Sequence, residues 1–202
     1  MQVAIVKYNA GNIHSVVHAL RRLGIEPILT DNPTLLQQAD KVIFPGVGEA
    51  ATTMQYLQKT GLDQVIKNLT QPVLGICLGM QLLCKHSEEG NVDALGIFDI
   101  PVKKFTWQKG LKIPHMGWNQ IEQLKGPLFA GNQENDYVYF VHSYYVPVCE
   151  HTIATTQYSG PFSAALNKDN FYATQFHPEK SGDVGSLILE QFIKLWFNSF
   201  LL

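Results

Sequence analysis

Pro72-Val73-Leu74-Gly75-Ile76-Cys77-Leu78-Gly79-Met80-Gln81-Leu82-Leu83 is an apolar strand that ends in Gly-x-Cys-x-Gly and runs directly into a helical pattern. This predicts a nucleophile elbow: a side chain on a sharp strand-to-helix turn is pushed out of the sheet. Small residues two positions either side let neighbouring backbone pass without a Cβ clash. The first turn of the following helix leaves unpaired N–H groups and a positive dipole end beside the sulfur, which favours thiolate over thiol. Taken alone, the motif suits a reactive Cys77 and a buried structural cysteine beside a glycine turn equally well.

Outward from the elbow, the chain alternates strand and helix. Val3 to Val6 reads as a buried strand, and Ile13, Val16, Val17, Leu20 and Leu23 follow at helical spacing before Gly24. Further strands are expected at Pro27 to Leu29, Val42 to Phe44 and Val73 to Ile76. Helices are expected near Leu35, from about Glu49 to Leu69, and after Cys77. Such alternation implies an α/β fold with a mostly parallel sheet flanked by helices. From about Ile97 the pattern changes to short β-rich runs, namely Ile97 to Phe105, Trp118 to Ile121, Tyr137 to Val146, Thr152 to Tyr158 and Phe171 to Phe176. These are read as additional, partly antiparallel strands. A final helix carries Val184, Leu187, Ile188, Phe192, Leu195 and Trp196 on one stripe, suited to covering a sheet face. The Phe197, Phe200, Leu201 and Leu202 tail is read as core packing.

Gln175-Phe176-His177-Pro178-Glu179-Lys180-Ser181-Gly182 decides how Cys77 is read. Proline biases the preceding residue towards extended backbone, in which residues two apart share a face. His177 and Glu179 then project together, a base beside the carboxylate that would fix its tautomer and stabilise the imidazolium. On its own this segment reads as a surface turn. Beside an elbow cysteine it completes a Cys-His-Glu set. Pro45-Gly46-Val47-Gly48 ends the third strand. In a doubly wound sheet, loops at neighbouring carboxyl ends meet at one crevice, so an N–H of the Gly46–Val47 region and that of Leu78 can form an oxyanion hole. Gln81, one helical turn beyond Cys77, can reach a substrate's α-amino or carboxylate group, or be an ordinary polar helix residue.

These segments, with Pro114-His115-Met116-Gly117-Trp118-Asn119 and Tyr139-Phe140-Val141-His142-Ser143-Tyr144, resemble the class I, triad-type glutamine amidotransferases over nearly the whole chain. Their order and spacing narrow the resemblance to the glutaminase subunits of imidazole glycerol phosphate synthase. It implies a flavodoxin-like amidotransferase fold, with Cys77 as nucleophile, His177 as base and Glu179 as its orienting partner. Glutamine is the implied substrate, recognised by Gly48, Gln81, His142, Ser143 and Tyr144, and the Gly46–Val47 peptide is expected to flip before its N–H points inward. The implied partner is a separate (β/α)₈ cyclase subunit in a heterodimer, docked around Asn12, Trp118, Tyr139 and Lys180. Asn12 otherwise reads as a helix cap. The resemblance also admits a sibling subunit feeding another synthase, such as one of surface-sugar biosynthesis, and an idle binding module is disfavoured by the intact triad. Lys7-Tyr8-Asn9-Ala10 and Glu49 depart from the commonest choices in the pattern.

Composition suits such an enzyme. With 202 residues and 46% hydrophobic content, one domain over 1–202 can bury roughly 70% of its unfolded-chain surface. A formal net charge of −2 and no long basic run argue against nucleic acid. Cys77, Cys84 and Cys149 lack C-x-x-C spacing, which argues against a disulfide framework or zinc site and for a reducing cytosol. Cys84 is expected to be a buried, inert thiol. No His-x-His or His-x-x-x-His pairing supports a metal, and neither metal nor cofactor is expected. The start lacks a signal-peptide layout and no stretch approaches the ~20 apolar residues of a membrane helix. A cytoplasmic protein is expected.

Overall fold

The computed structural model describes residues 1–8, 13–107 and 109–195. Asn12, Trp196, Phe197, Phe200, Leu201 and Leu202 therefore lie outside the described residues. In chain order the first half comprises β1 (Val3–Val6), α1 (Ile13–Arg22), β2 (Ile28–Thr30), α2 (Pro33–Gln38), β3 (Lys41–Phe44), α3 (Ala50–Thr60), α4 (Leu62–Lys67), β4 (Val73–Ile76) and α5 (Leu78–Leu83). The second comprises β5 (Cys84–Ser87), β6 (Val92–Asp93), β7 (Phe98–Lys104), β8 (His115–Gln120), β9 (Tyr137–His142), β10 (Tyr144–Tyr145), β11 (Thr152–Gln157), β12 (Pro161–Lys168), β13 (Phe171–Thr174) and α6 (Gly182–Lys194).

A seven-stranded sheet has the order β11-β12-β13-β4-β3-β1-β2. Its five strands from β13 to β2 pair in parallel, while β11 and β12 extend the β13 edge antiparallel. The parallel part has the flavodoxin-like order, with β13 in the fifth place. Its central strands are buried on both faces, which explains their unbroken apolar runs. In β1, Ala4 and Val6 join the core under α2 to α5, whereas Val3 and Ile5 join the core under α1 and α6. Ile188, Leu189 and Phe192 of α6 are fully buried in that second layer, each contributing about 1.5–3 kcal/mol by burial. Two smaller sheets, β10-β7-β5-β6 and β8-β9, supply the extra strands.

The helical stretch expected from Glu49 to Leu69 is two helices. Gly61 adopts the left-handed conformation at φ 74° and its N–H closes on the Gln58 carbonyl, which ends α3 before α4 begins. Glu49 stands outside α3 as its cap, accepting from Ala51 and Thr52 N–H groups. The helix after Cys77 is only six residues long, because Cys84 turns extended and opens β5. Strand β12 was not expected: its Pro161 start and its alanines lack the β-branched signature, and pairing with both β11 and β13 forms it.

Candidate active site

Three loops meet at the carboxyl ends of parallel neighbours: 45–48 after β3, Cys77 after β4 and 175–177 after β13. Cys77 sits at φ 54°, a region that side-chain-bearing residues rarely adopt. The surroundings impose it. Its N–H donates 2.7 Å to the Thr174 carbonyl, and its carbonyl accepts from Gln81 N–H at 3.2 Å to start α5. The flanking glycines are close-approach positions. A Cβ on Gly79 would lie 1.9 Å from the Phe44 carbonyl oxygen, and one on Gly46 would lie 2.6 Å from the Gly79 nitrogen. The loop after β3 thus lies against the first turn of α5, where the Leu78 N–H has no intrahelical acceptor. Tyr8, 5% exposed, pins this loop by donating its hydroxyl to the Pro45 carbonyl. Burial, and then the Cys77 charge, hold the Tyr8 hydroxyl well above the usual tyrosine range, so it remains a donor.

His177 is extended, and its N–H donates 2.9 Å to the Tyr139 carbonyl. Pro178–Lys180 then form a 3₁₀ turn. Glu179 therefore reaches the imidazole by curling back rather than by the extended alternation expected, and its Oε1 lies 2.8 Å from His177 Nδ1. Both side chains are almost fully buried, at 2% and 4% exposure. The Ser181 hydroxyl staples the turn, donating to the His177 carbonyl at 2.7 Å and accepting from Tyr139 N–H at 3.0 Å. Burial disfavours a charged His177 ring. Its interactions with the Cys77 sulfur and, after it, with the Glu179 carboxylate outweigh that cost and hold the ring above the usual histidine range. With Nδ1 committed to Glu179, Nε2 has no hydrogen-bond partner among the described residues.

A cavity of about 330 Å³ brings together Val47, Gly48, Cys77, Leu78, Gln81, His142, Ser143, Tyr144 and His177. Gln81 spends its side-chain nitrogen on the Tyr144 carbonyl at 2.9 Å and on Gln175 Oε1 at 3.0 Å. Only its oxygen remains for a ligand, which suits an α-ammonium group and not a carboxylate. The Tyr144 carbonyl also accepts from His142 Nδ1 at 2.7 Å, so both its lone pairs are taken. His142 Nε2 lies 3.1 Å from His115 Nδ1, and Asn119 Nδ2 donates to His115 Nε2 at 3.3 Å. Burial pushes His142 down to about 3 and His115 down to about 4, so both rings are neutral donors and acceptors rather than charges.

Glu89 and Gln175 were missed in the sequence. Glu89 lines the cavity, caps Ala50 N–H at 2.9 Å with one oxygen, and is raised by burial. It lies in a loop with no motif to mark it. Gln175 is fully buried and its side-chain nitrogen lies 3.7 Å from the Cys77 sulfur. Its position two residues before His177 was the available signal.

Trp118, Tyr139 and Lys180 gather on one surface: the two rings meet edge to face at 6.1 Å, and Lys180 Nζ lies 5.9 Å over the Tyr139 ring. Cys84 is fully buried, its thiol raised far above the ordinary range chiefly by burial. Among the described residues, no three His, Cys, Asp or Glu side chains converge as a metal site, and no helix is long and apolar enough to cross a membrane.

An elbow cysteine, a histidine–carboxylate turn and a glycine loop at adjoining strand ends are the parts of an amidotransferase site, and the chain belongs to the class-I glutamine amidotransferase family, which matches residues 4–195. Within it, the chain groups with proteins named imidazole glycerol phosphate synthase subunit HisH. It is 64% identical to that of Bacteroides thetaiotaomicron over 196 residues, covering 96% of this chain and 100% of that one. It is 48% identical to that of Escherichia coli K12 over 197 residues, with the same coverage. A crystal structure of a glutamine amidotransferase shares the fold at a TM-score of 0.71 and 18% identity, covering 94% of this chain and 98% of that one.

Proposed function

We propose that this chain is the glutaminase subunit of an imidazole glycerol phosphate synthase in histidine biosynthesis, working in the cytoplasm in a heterodimer with a cyclase subunit. The observation that carries the chemistry is the buried 2.8 Å His177–Glu179 pair beside the strained Cys77 elbow. The Cys77 sulfur attacks the glutamine carboxamide, and N–H groups near Val47 and at Leu78 hold the charge that develops on oxygen. His177 gives a proton to the leaving ammonia, then takes one from the water that hydrolyses the thioester, while Glu179 holds the ring. Glutamate leaves and the sulfur is regenerated. The Gln81 oxygen and Glu89 are suited to the substrate's α-ammonium group.

Ammonia released into neutral water becomes mostly ammonium, which is no nucleophile, so the product has to pass directly to an acceptor. Lys180 is adjacent in sequence to the triad carboxylate and packs with Trp118 and Tyr139, which supports docking of the cyclase there. The test is Cys77→Ser in the complex with the cognate cyclase. Glutamine hydrolysis is expected to disappear while synthesis from added ammonium salts continues; retained glutaminase removes Cys77 from its role, and loss of both activities removes the division of labour.

A further inference from the structure

The atoms around Gln175 have one consistent assignment. Gln81 bonds to the Tyr144 carbonyl and to Gln175 through the same atom. A carbonyl only accepts, so that atom is the Gln81 nitrogen, the Gln175 atom facing it is oxygen, and the Gln175 nitrogen is turned to the Cys77 sulfur at 3.7 Å. Gln175 is fully buried and does not line the substrate cavity.

We propose that Gln175 is a positioning residue for the nucleophile, donating an N–H to the Cys77 sulfur from behind while Gln81 locks its carboxamide in the donating orientation. A donor aimed at an anion favours the charged form, and at the elbow it also fixes where the sulfur points. The assignment gives Gln81 a double task, one face on the cavity and one on Gln175. It rests on Cys77 as the nucleophile and is independent of which synthase the chain serves. Among the described residues, the titratable groups facing the sulfur are His177 from the turn after β13 and Tyr8, two residues beyond β1, with Glu179 behind His177.

The test is the rate of Cys77 alkylation by iodoacetamide across the acid and neutral range, read by peptide mass spectrometry on the full chain without glutamine. In Gln175→Met, which keeps the volume and removes the donor, the rate constant on the acid side should fall about tenfold, the equivalent of one pKa unit. Gln175→Glu keeps an acceptor for Gln81 and sets a carboxylate against the sulfur, so its rate relative to the parent at the same pH should fall further as pH rises through the carboxylate's titration. Rates equal to the parent at every pH in a folded variant overturn the proposal; should Gln175→Met fail to fold, Gln175→Glu carries the same comparison. A parent chain whose Cys77 reacts no faster than Cys84 or Cys149 would instead defeat the nucleophile reading itself.

Discussion

His177 and His142 line the same cavity and are both buried, yet their surroundings drive them in opposite directions. The elbow after β4 sets the Cys77 sulfur, and the turn after β13 the Glu179 carboxylate, against His177, and together they outweigh desolvation and raise the ring. His142 bonds to the Tyr144 carbonyl of β10 and the His115 imidazole of β8, which leave desolvation in control and lower it to about 3. Burial alone therefore does not make a histidine a base or a spectator. The charge and hydrogen-bonding sense of its neighbours do.

The sharpest way to break this contrast is to remove the partner that distinguishes the two rings. Glu179→Gln keeps the hydrogen-bonding shape at Nδ1 but withdraws the charge and can impose the wrong tautomer. Glutaminase kcat of the complex should fall about 10³–10⁴-fold, the order seen when a triad carboxylate becomes an amide. A fall of less than about tenfold would mean that His177 does not depend on its carboxylate.

His142→Gln should have a much smaller effect, about tenfold or less in kcat/KM and mainly in KM, because this ring shapes the cavity and moves no proton. A collapse of kcat comparable to that of Glu179→Gln would make His142 a second base and erase the comparison.

The smallest expected effect is on stability. A histidine lowered in the folded state binds protons more readily when unfolded, so its contribution is full above its ordinary pKa near 6.5 and is lost as pH falls towards 4 and 3. The stability of the parent, read by chemical denaturation, should therefore fall on acidification more steeply than that of His142→Gln, by up to about 1.4 kcal/mol per pH unit. Parallel pH dependences would show that His142 is protonated as easily in the folded chain as outside it.

Motif residues were legible where neighbours in sequence are also neighbours in space. Cys77, the glycines beside it and the His177–Glu179 pair lie within short turns, although the pair forms through a 3₁₀ turn rather than extended chain. Trp118 and Tyr139, chosen by resemblance, meet as a directly opposed pair in the β8–β9 register. By contrast, the expected continuous helix from Glu49 divided at Gly61, whose left-handed conformation no apolar periodicity reveals. Glu89 escaped notice because nothing in its local sequence distinguishes a cavity carboxylate from a solvated one, and Gln175 because its place two residues before His177 says nothing of what its amide faces.

By itself, then, the sequence determined the parallel βα core, the Cys77 elbow and the pairing of His177 with Glu179, since each follows from local periodicity, turn chemistry and spacing along a short stretch. Only the tertiary structure decided how the polar groups around these residues are bonded. The Gln175–Cys77 contact joins residues 98 apart and His115–His142 residues 27 apart. Such bonds depend on which strand lies beside which and in what register. The direction of a proton or an amide there is set by the last acceptor in the chain of bonds, here the carbonyl of Tyr144.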